Sequence, residues 1–164
     1  MKIEVKNNNP MGLVYTKRAV YVGKIKDPEL KKDKEYEEFE DYAYGLRAAI
    51  MYMKKIIQSG LVRPEEIVRK FCFDQHNDEI IEEGQFVRDY LDKVVAFYKK
   101  ENTPYDPDYH FFWWDMSAIY SLVAAICFIE SGVKIPAADF TACWIWLNNS
   151  NPSHAKKKFT GDKK

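Results

Sequence analysis

Two short runs carry most of the acids that could act together. "EYEEFED" sets Glu35, Glu37, Glu38, Glu40 and Asp41 close in sequence, and "DQHNDEIIEE" does the same for Asp74, Asp78, Glu79, Glu82 and Glu83. One carboxyl from each run, facing a shared cleft, would suit general-acid chemistry on a glycosidic bond, because partial burial raises one carboxyl pKa. The plainer reading is that acids near helix N-termini complement the helix dipole and that charge runs are solvated. Glu40 differs from its neighbours. With Tyr36 and Phe39 expected to point inward, it falls at a strand-to-helix junction, where a side chain can be held against a sheet. Arg47, one helical turn after Ala43, is placed to reach back and fix that carboxylate, which would lower its pKa.

Other chemistries have no support. The chain has no HExxH, CxxC, GxGxxG, Walker loop or GxSxG, so no metal site and no cofactor are expected. His76, His110 and His154 are scattered and read as surface or interface histidines. Cys72, Cys127 and Cys143 are odd in number, far apart and set in apolar surroundings, as buried thiols in a reducing compartment would be. Aromatic residues make up 15% of the chain, including "HFFWWD" and "CWIWL". They read first as core, with a sugar-stacking platform at Trp113 or Trp114 as the alternative.

The elements that must position these groups fall into two halves. Residues 1–41 read as extended: "LVY", "AVYVGKI" and "KEYEEF" are rich in β-branched and aromatic residues and separated by turn signals, which predicts a small antiparallel sheet. Beyond them the period is helical. Leu46, Ile50, Met53 and Ile57 mark a face over 44–58, with Gly60 as its stop. Pro64, Glu65 and Glu66 open a helix over 64–72. Val87, Leu91, Val94 and Tyr98 stripe a third over 84–100. A fourth, over 114–130, is apolar nearly all round, and a fifth runs over 136–147. The expectation is one α+β domain over 1–147, strands first and helices after, followed by a basic, solvated tail over 148–164.

Bulk properties fit one domain. At 164 residues with 46% hydrophobic and 30% charged content, the chain is globular and too short for two comfortable domains. Basic and acidic residues balance at 25 each, so no overall field draws it to nucleic acid, and no nucleic-acid partner is expected. The longest apolar run, Ala118 to Ile129, falls short of the roughly 20 residues that a membrane span needs. The polar start lacks a secretory signal, which places synthesis in a cytoplasm.

One stretch remains, "VKNNNPMGLVY" at 5–15, whose amides can bond backbone and fix a turn that Pro10 directs. Asn7-Asn8-Asn9-Pro10 resembles the N-N-N-P-G-N-I opening of a family of bacteriophage virion structural proteins, held to be lysozyme-like. The family's F-x-x-F-E-x-x-E-[YW]-G-x-R-A signature is similar to Tyr36, Phe39, Glu40, Tyr44, Gly45, Arg47 and Ala48 in register. Weaker echoes follow in order, at "FCFDQHN" ending in His76-Asn77 and at Glu130-Ser131-Gly132. Where the family has a glutamate, this chain has Ala43 and His76, so Glu40 and Asn77 remain of that set. The resemblance implies a mainly helical lysozyme-like domain with a small N-terminal sheet. It implies a phage or prophage-derived protein that binds or cleaves peptidoglycan, or else a non-enzymatic virion component with another virion protein as partner. On this reading Glu40 is the catalytic acid, and Asn9, Arg47 and Asn77 support the substrate cleft.

Overall fold

The computed structural model describes residues 3–149. Among them are five α-helices: α1 (Tyr42–Gln58), α2 (Pro64–Gln75), α3 (Glu83–Lys100), α4 (Met116–Ser131) and α5 (Ala137–Leu147). Their starts are capped by the residues that the sequence supplies. Asp41 accepts from Ala43 N–H at 2.9 Å, Glu82 from Gln85 N–H at 2.9 Å and Asp115 from Ala118 N–H at 3.2 Å, each satisfying a donor the helix itself leaves open. Pro64 takes the first position of α2, where its missing N–H costs nothing, and the Glu66 carboxylate reaches back to Arg63 N–H at 3.0 Å.

Helix α1 is the hub. It packs against α2, α4 and α5, while α3 bridges α2 and α4. Leu46, Ile50 and Met53 have no exposed surface, and Ala48 and Ala49 are equally buried, so this helix is enclosed on more sides than a single stripe would give. Helix α4 is similar, with Ile119, Leu122, Val123, Ala125, Ile126 and Cys127 all buried. The three cysteines are buried thiols, and burial pushes the Cys72 thiol up to about 12. Of the expected tail, residues 150–164 lie outside the described residues.

The expected N-terminal antiparallel sheet is absent, and the protein is mainly helical rather than α+β. Among the described residues no strand forms; residues 13–41 make only two isolated antiparallel bridges, Val14 with Tyr36 and Lys24 with Phe39. The reason is in the side chains. Lys24 and Lys31 turn inward, and their ammonium groups take backbone carbonyls that a ladder would have paired. Lys24 Nζ donates to Thr16 O at 2.6 Å and Ala19 O at 3.1 Å, and Lys31 Nζ donates to the carbonyls of Asp33 and Tyr36. Carboxylates complete the pattern from the other side: Glu37 accepts from Thr16 N–H at 3.2 Å and Glu38 from Asp33 N–H at 2.5 Å. Backbone groups must be satisfied, and here buried side chains satisfy them in place of a neighbouring strand.

These insertions make two buried ion pairs, Lys24–Glu37 at 2.9 Å and Lys31–Glu38 at 3.5 Å. Both ammonium groups lie 4.8 Å from the centre of the Tyr15 ring, which receives them on its π-face. Glu37 is fully buried, and its second oxygen, Oε1, has no hydrogen-bond partner. Removing the cation alone would therefore strand a carboxylate already short of partners. Lys24→Met is expected to cost about 3–5 kcal/mol in urea unfolding, and adding Glu37→Leu should recover much of that loss.

The N-terminal turn joins this polar layer to the helices. Asn7 and Asn8 have positive φ, 61° and 54°, a region that asparagine tolerates better than most residues. Their backbone lies directly on α1, where a Cβ built on Gly45 would fall 1.7 Å from Asn8 O. Alanine inside a helix ordinarily gains about 1 kcal/mol over glycine. At Gly45 the sign reverses, because the obstacle is backbone and cannot rotate away. Gly45→Ala is expected to destabilise by at least about 1–3 kcal/mol in a denaturant titration, as overpacking does.

Candidate functional site

A cleft of about 430 Å³ opens where the N-terminal turn meets the C-terminal end of α4. Asn7, Asn9 and Gly12 form one side, Glu130 and Ser131 another, and Glu4 and Tyr36 contribute polar groups at its lining. The asparagines are in place because each is tied down. Asn7 Nδ2 donates to Asp33 Oδ2 at 2.9 Å, and Asn8 Nδ2 to Phe39 O at 3.0 Å. Asn9, 5% exposed, donates to Leu13 O at 2.9 Å and Glu37 O at 3.1 Å while its Oδ1 accepts from Leu13 N–H at 3.0 Å. The three amides thus staple the turn to residues 33–39.

Glu130 is held as firmly from behind. Its Oε2 accepts from Tyr90 OH at 2.5 Å, out of α3, and pairs with His76 Nε2 at 2.8 Å, at the end of α2. The other imidazole nitrogen, Nδ1, lies 2.5 Å from Glu79 Oε2. Rings surround the imidazole: Phe71, Phe86 and Tyr90 have centroids 5.7–6.0 Å away. Burial alone would lower the pKa of His76, but its hydrogen bonds to Glu130 and Glu79 outweigh that and raise it to about 9. At neutral pH the ring is therefore an imidazolium clamped between two carboxylates, donating from both nitrogens. Glu130 Oε1 is left on the Gly12 side, where a Cβ on Gly12 would approach it to 3.2 Å. Gly12 also has φ of 68°, so a larger residue would meet both backbone strain and the carboxylate.

Tyr36 complements this arrangement. Burial first, then the charges of Glu79, Glu35, Glu130 and Asp33, push its phenol above the usual range, keeping it a proton-bearing donor. The cleft thus presents two carboxylates, Glu4 and Glu130, beside a phenol, the Asn7 side chain and the exposed Lys6, whose ammonium lies 3.7 Å from Asp33. Such a surface is suited to a polyhydroxylated or amide-bearing ligand, which offers donors and acceptors in alternation.

The expected site residues are dispersed. Asn9 lines the cleft, though its amide is spent on the turn. Glu40 is exposed and does not line it; its backbone N–H donates to Gly23 O at 2.9 Å. Arg47 does not reach Glu40. It is buried with its guanidinium 5.1 Å from the Trp146 ring centre, and burial lowers its pKa. Asn77 is exposed in the short turn Asn77–Glu79. The two acidic runs do not meet in the cleft either. Glu37 and Glu38 are buried structural partners, Glu82 caps α3, Asp74 accepts from Tyr52 OH at 2.8 Å, and Glu83 pairs with Arg69 at 3.2 Å.

Sequence reasoning missed Glu130, Tyr90 and Glu4 as cleft or clamp residues. Glu130 had a usable signal: it is the acid that ends an otherwise apolar run in a helix buried on most sides, where a carboxylate needs partners. Tyr90 and Glu4 had none, since their importance comes from what they meet across the fold. In comparison with known proteins, no family model matches the chain, and neither does any curated protein.

The clamp has a pH signature. His76 has a folded-state pKa of about 9, above the roughly 6.5 of an unfolded histidine, so its contribution is fully present below pH 6.5. That stability is lost as pH rises through about 9. Thermal melting across this interval should show wild type losing stability with rising pH and His76→Gln showing a flatter profile from a lower starting point.

Proposed function

We propose that the protein is a phage or prophage-derived, virion-associated protein that binds peptidoglycan through the Glu130 cleft. One observation carries the reading: two segments that resemble the phage virion family, at 7–10 and 130–132, lie far apart in sequence and meet at one cleft, with His76, where the family has a glutamate, paired to the Glu130 carboxylate. The first supplies one wall and the second the carboxylate, which His76 holds from behind. Glycan strands and their peptide stems are rich in hydroxyl and amide groups, which the cleft's carboxylates, phenol and amide are equipped to bond.

Binding fits this geometry better than cleavage. An acid that protonates a glycosidic oxygen must offer a proton, whereas Glu130 is arranged as an acceptor, facing an imidazolium and a phenol through the same oxygen. Glu130 therefore orients ligand groups that donate hydrogen bonds, and His76 and Tyr90 hold it in position. Glu40, exposed outside the cleft, has no part in this reading.

Co-sedimentation with purified cell-wall sacculi tests it. Wild type should pellet with the walls and release no soluble fragments, and Glu130→Gln should leave more protein in the supernatant while melting as a folded protein. Wild type that stays in the supernatant would sink the reading. Soluble fragments released by wild type, and abolished in Glu130→Gln, would replace binding with hydrolysis at the same site.

A further inference from the structure

Another cavity, of about 260 Å³, shares no lining residue with the Glu130 cleft. Its walls come from α3, α4 and the connection between them, with Pro64 at the start of α2. Residues 109–114 alternate in what they face: Tyr109 and Phe111 line the cavity, whereas His110, Phe112 and Trp114 stack on one another at 4.5 and 4.8 Å. Phe111 N–H donates to Val62 O at 2.8 Å, which pins the segment in this register.

The cavity is built from perpendicular rings. Tyr98 and Tyr105 meet at 5.4 Å and 89°, and Tyr109 and Phe111 meet at 4.9 Å and 78°. Arranged this way, rings close a small space from several directions, and their negative faces favour a positive charge within about 6 Å. The charged lining residues agree in sign. Asp106 and Asp115 are both acids, and among the described residues no lysine, arginine or histidine lines the cavity. The negative field also reaches the rings, since Tyr105 has its pKa raised by burial and then by Glu65 and Asp106.

Other ligands fit less well. Anions would meet only repulsion. Sugars need many free, convergent hydrogen-bonding groups, yet both Asp115 oxygens are engaged, Oδ1 by Ala118 N–H and Oδ2 by the Tyr109 hydroxyl. The Thr103 and Ser121 hydroxyls donate to the Glu101 and Ser117 carbonyls, which leaves chiefly the hydroxyls of Tyr98, Tyr105 and Ser117. Rings and acids together favour a small group with an apolar surface and a positive charge.

We propose that this cavity is an aromatic cage for an organic ammonium group, walled by Tyr98, Tyr105, Tyr109 and Phe111 with Asp106 at its exposed rim. A quaternary ammonium and the ε-ammonium of a lysine share the required chemistry, and the cage acts independently of the Glu130 cleft.

Calorimetric titration of the full chain decides it, using choline, N-acetyl-lysine methylamide and dimethylbutanol, the neutral carbon isostere of choline. At least one of the two ammonium compounds should bind, and dimethylbutanol should bind at least about tenfold more weakly than choline if choline is the one taken. Whichever ammonium compound binds identifies the source of the charge. Tyr105→Leu should weaken that binding about tenfold. Asp106 is exposed, so Asp106→Asn should leave the fold intact and still weaken binding, which keeps the test valid if Tyr105→Leu fails to fold. Binding of neither ammonium compound, equal binding of dimethylbutanol and choline, or affinity unchanged in Asp106→Asn and Tyr105→Leu would overturn the cage.

Discussion

The contact between the Asn8 carbonyl and Gly45 governs how the two parts of the protein meet. A backbone group rests where a helix would ordinarily carry a side chain, which is possible only because α1 has a hydrogen at that position. Seating the turn there fixes Asn7 and Asn9 over the start of α1 and carries Gly12 toward the end of α4. The cleft lies between those two ends, so its width is set by a steric fit some distance from the groups that line it. A displacement at Gly45 would move the wall while leaving the carboxylate behind.

The layer that holds the turn is polar to an unusual degree. Two lysines and two glutamates are buried within residues 24–38, with side chains serving as substitutes for strand neighbours. Such pairs are weak evidence for stability, because desolvating each ion offsets much of the attraction. Their effect here is directional: each ammonium group must meet its own set of carbonyls, so alternative paths for this segment would leave a buried charge unmet.

Behind the cleft, electrostatics links three helices at one oxygen. Glu130 from α4 is met by Tyr90 from α3 and by His76 at the end of α2, so the charge of the site also fastens the bundle. The aromatic shell of Phe71, Phe86 and Tyr90 limits water around the imidazolium and strengthens its pair with the shielded Glu130, while the Glu79 carboxylate on the other nitrogen is solvent-exposed. Site geometry and fold stability consequently depend on the same protonation state. The ammonium cage on α3 and α4 follows the opposite design, with the charge expected from the ligand and the protein supplying rings.

The sequence by itself determined the helices. Periodicity and capping residues place all five within a few residues of where they form, because spacing of apolar side chains and local caps are properties of neighbouring residues. It also determined that Asn7 to Pro10 would make a turn, since asparagine and proline act on their own backbone. Tertiary structure decided what lay beyond the reach of local rules. "LVY" and "AVYVGKI" have strand composition, yet inward lysines took the carbonyls a sheet would have used, and composition does not state which way a lysine points. Glu37, in the middle of an acidic run, is fully buried while Glu40, three residues on, is exposed. The clamp on Glu130 joins residues 40 and 54 positions away, and only the packing of α2 and α3 against α4 could bring that histidine and that tyrosine to one carboxylate.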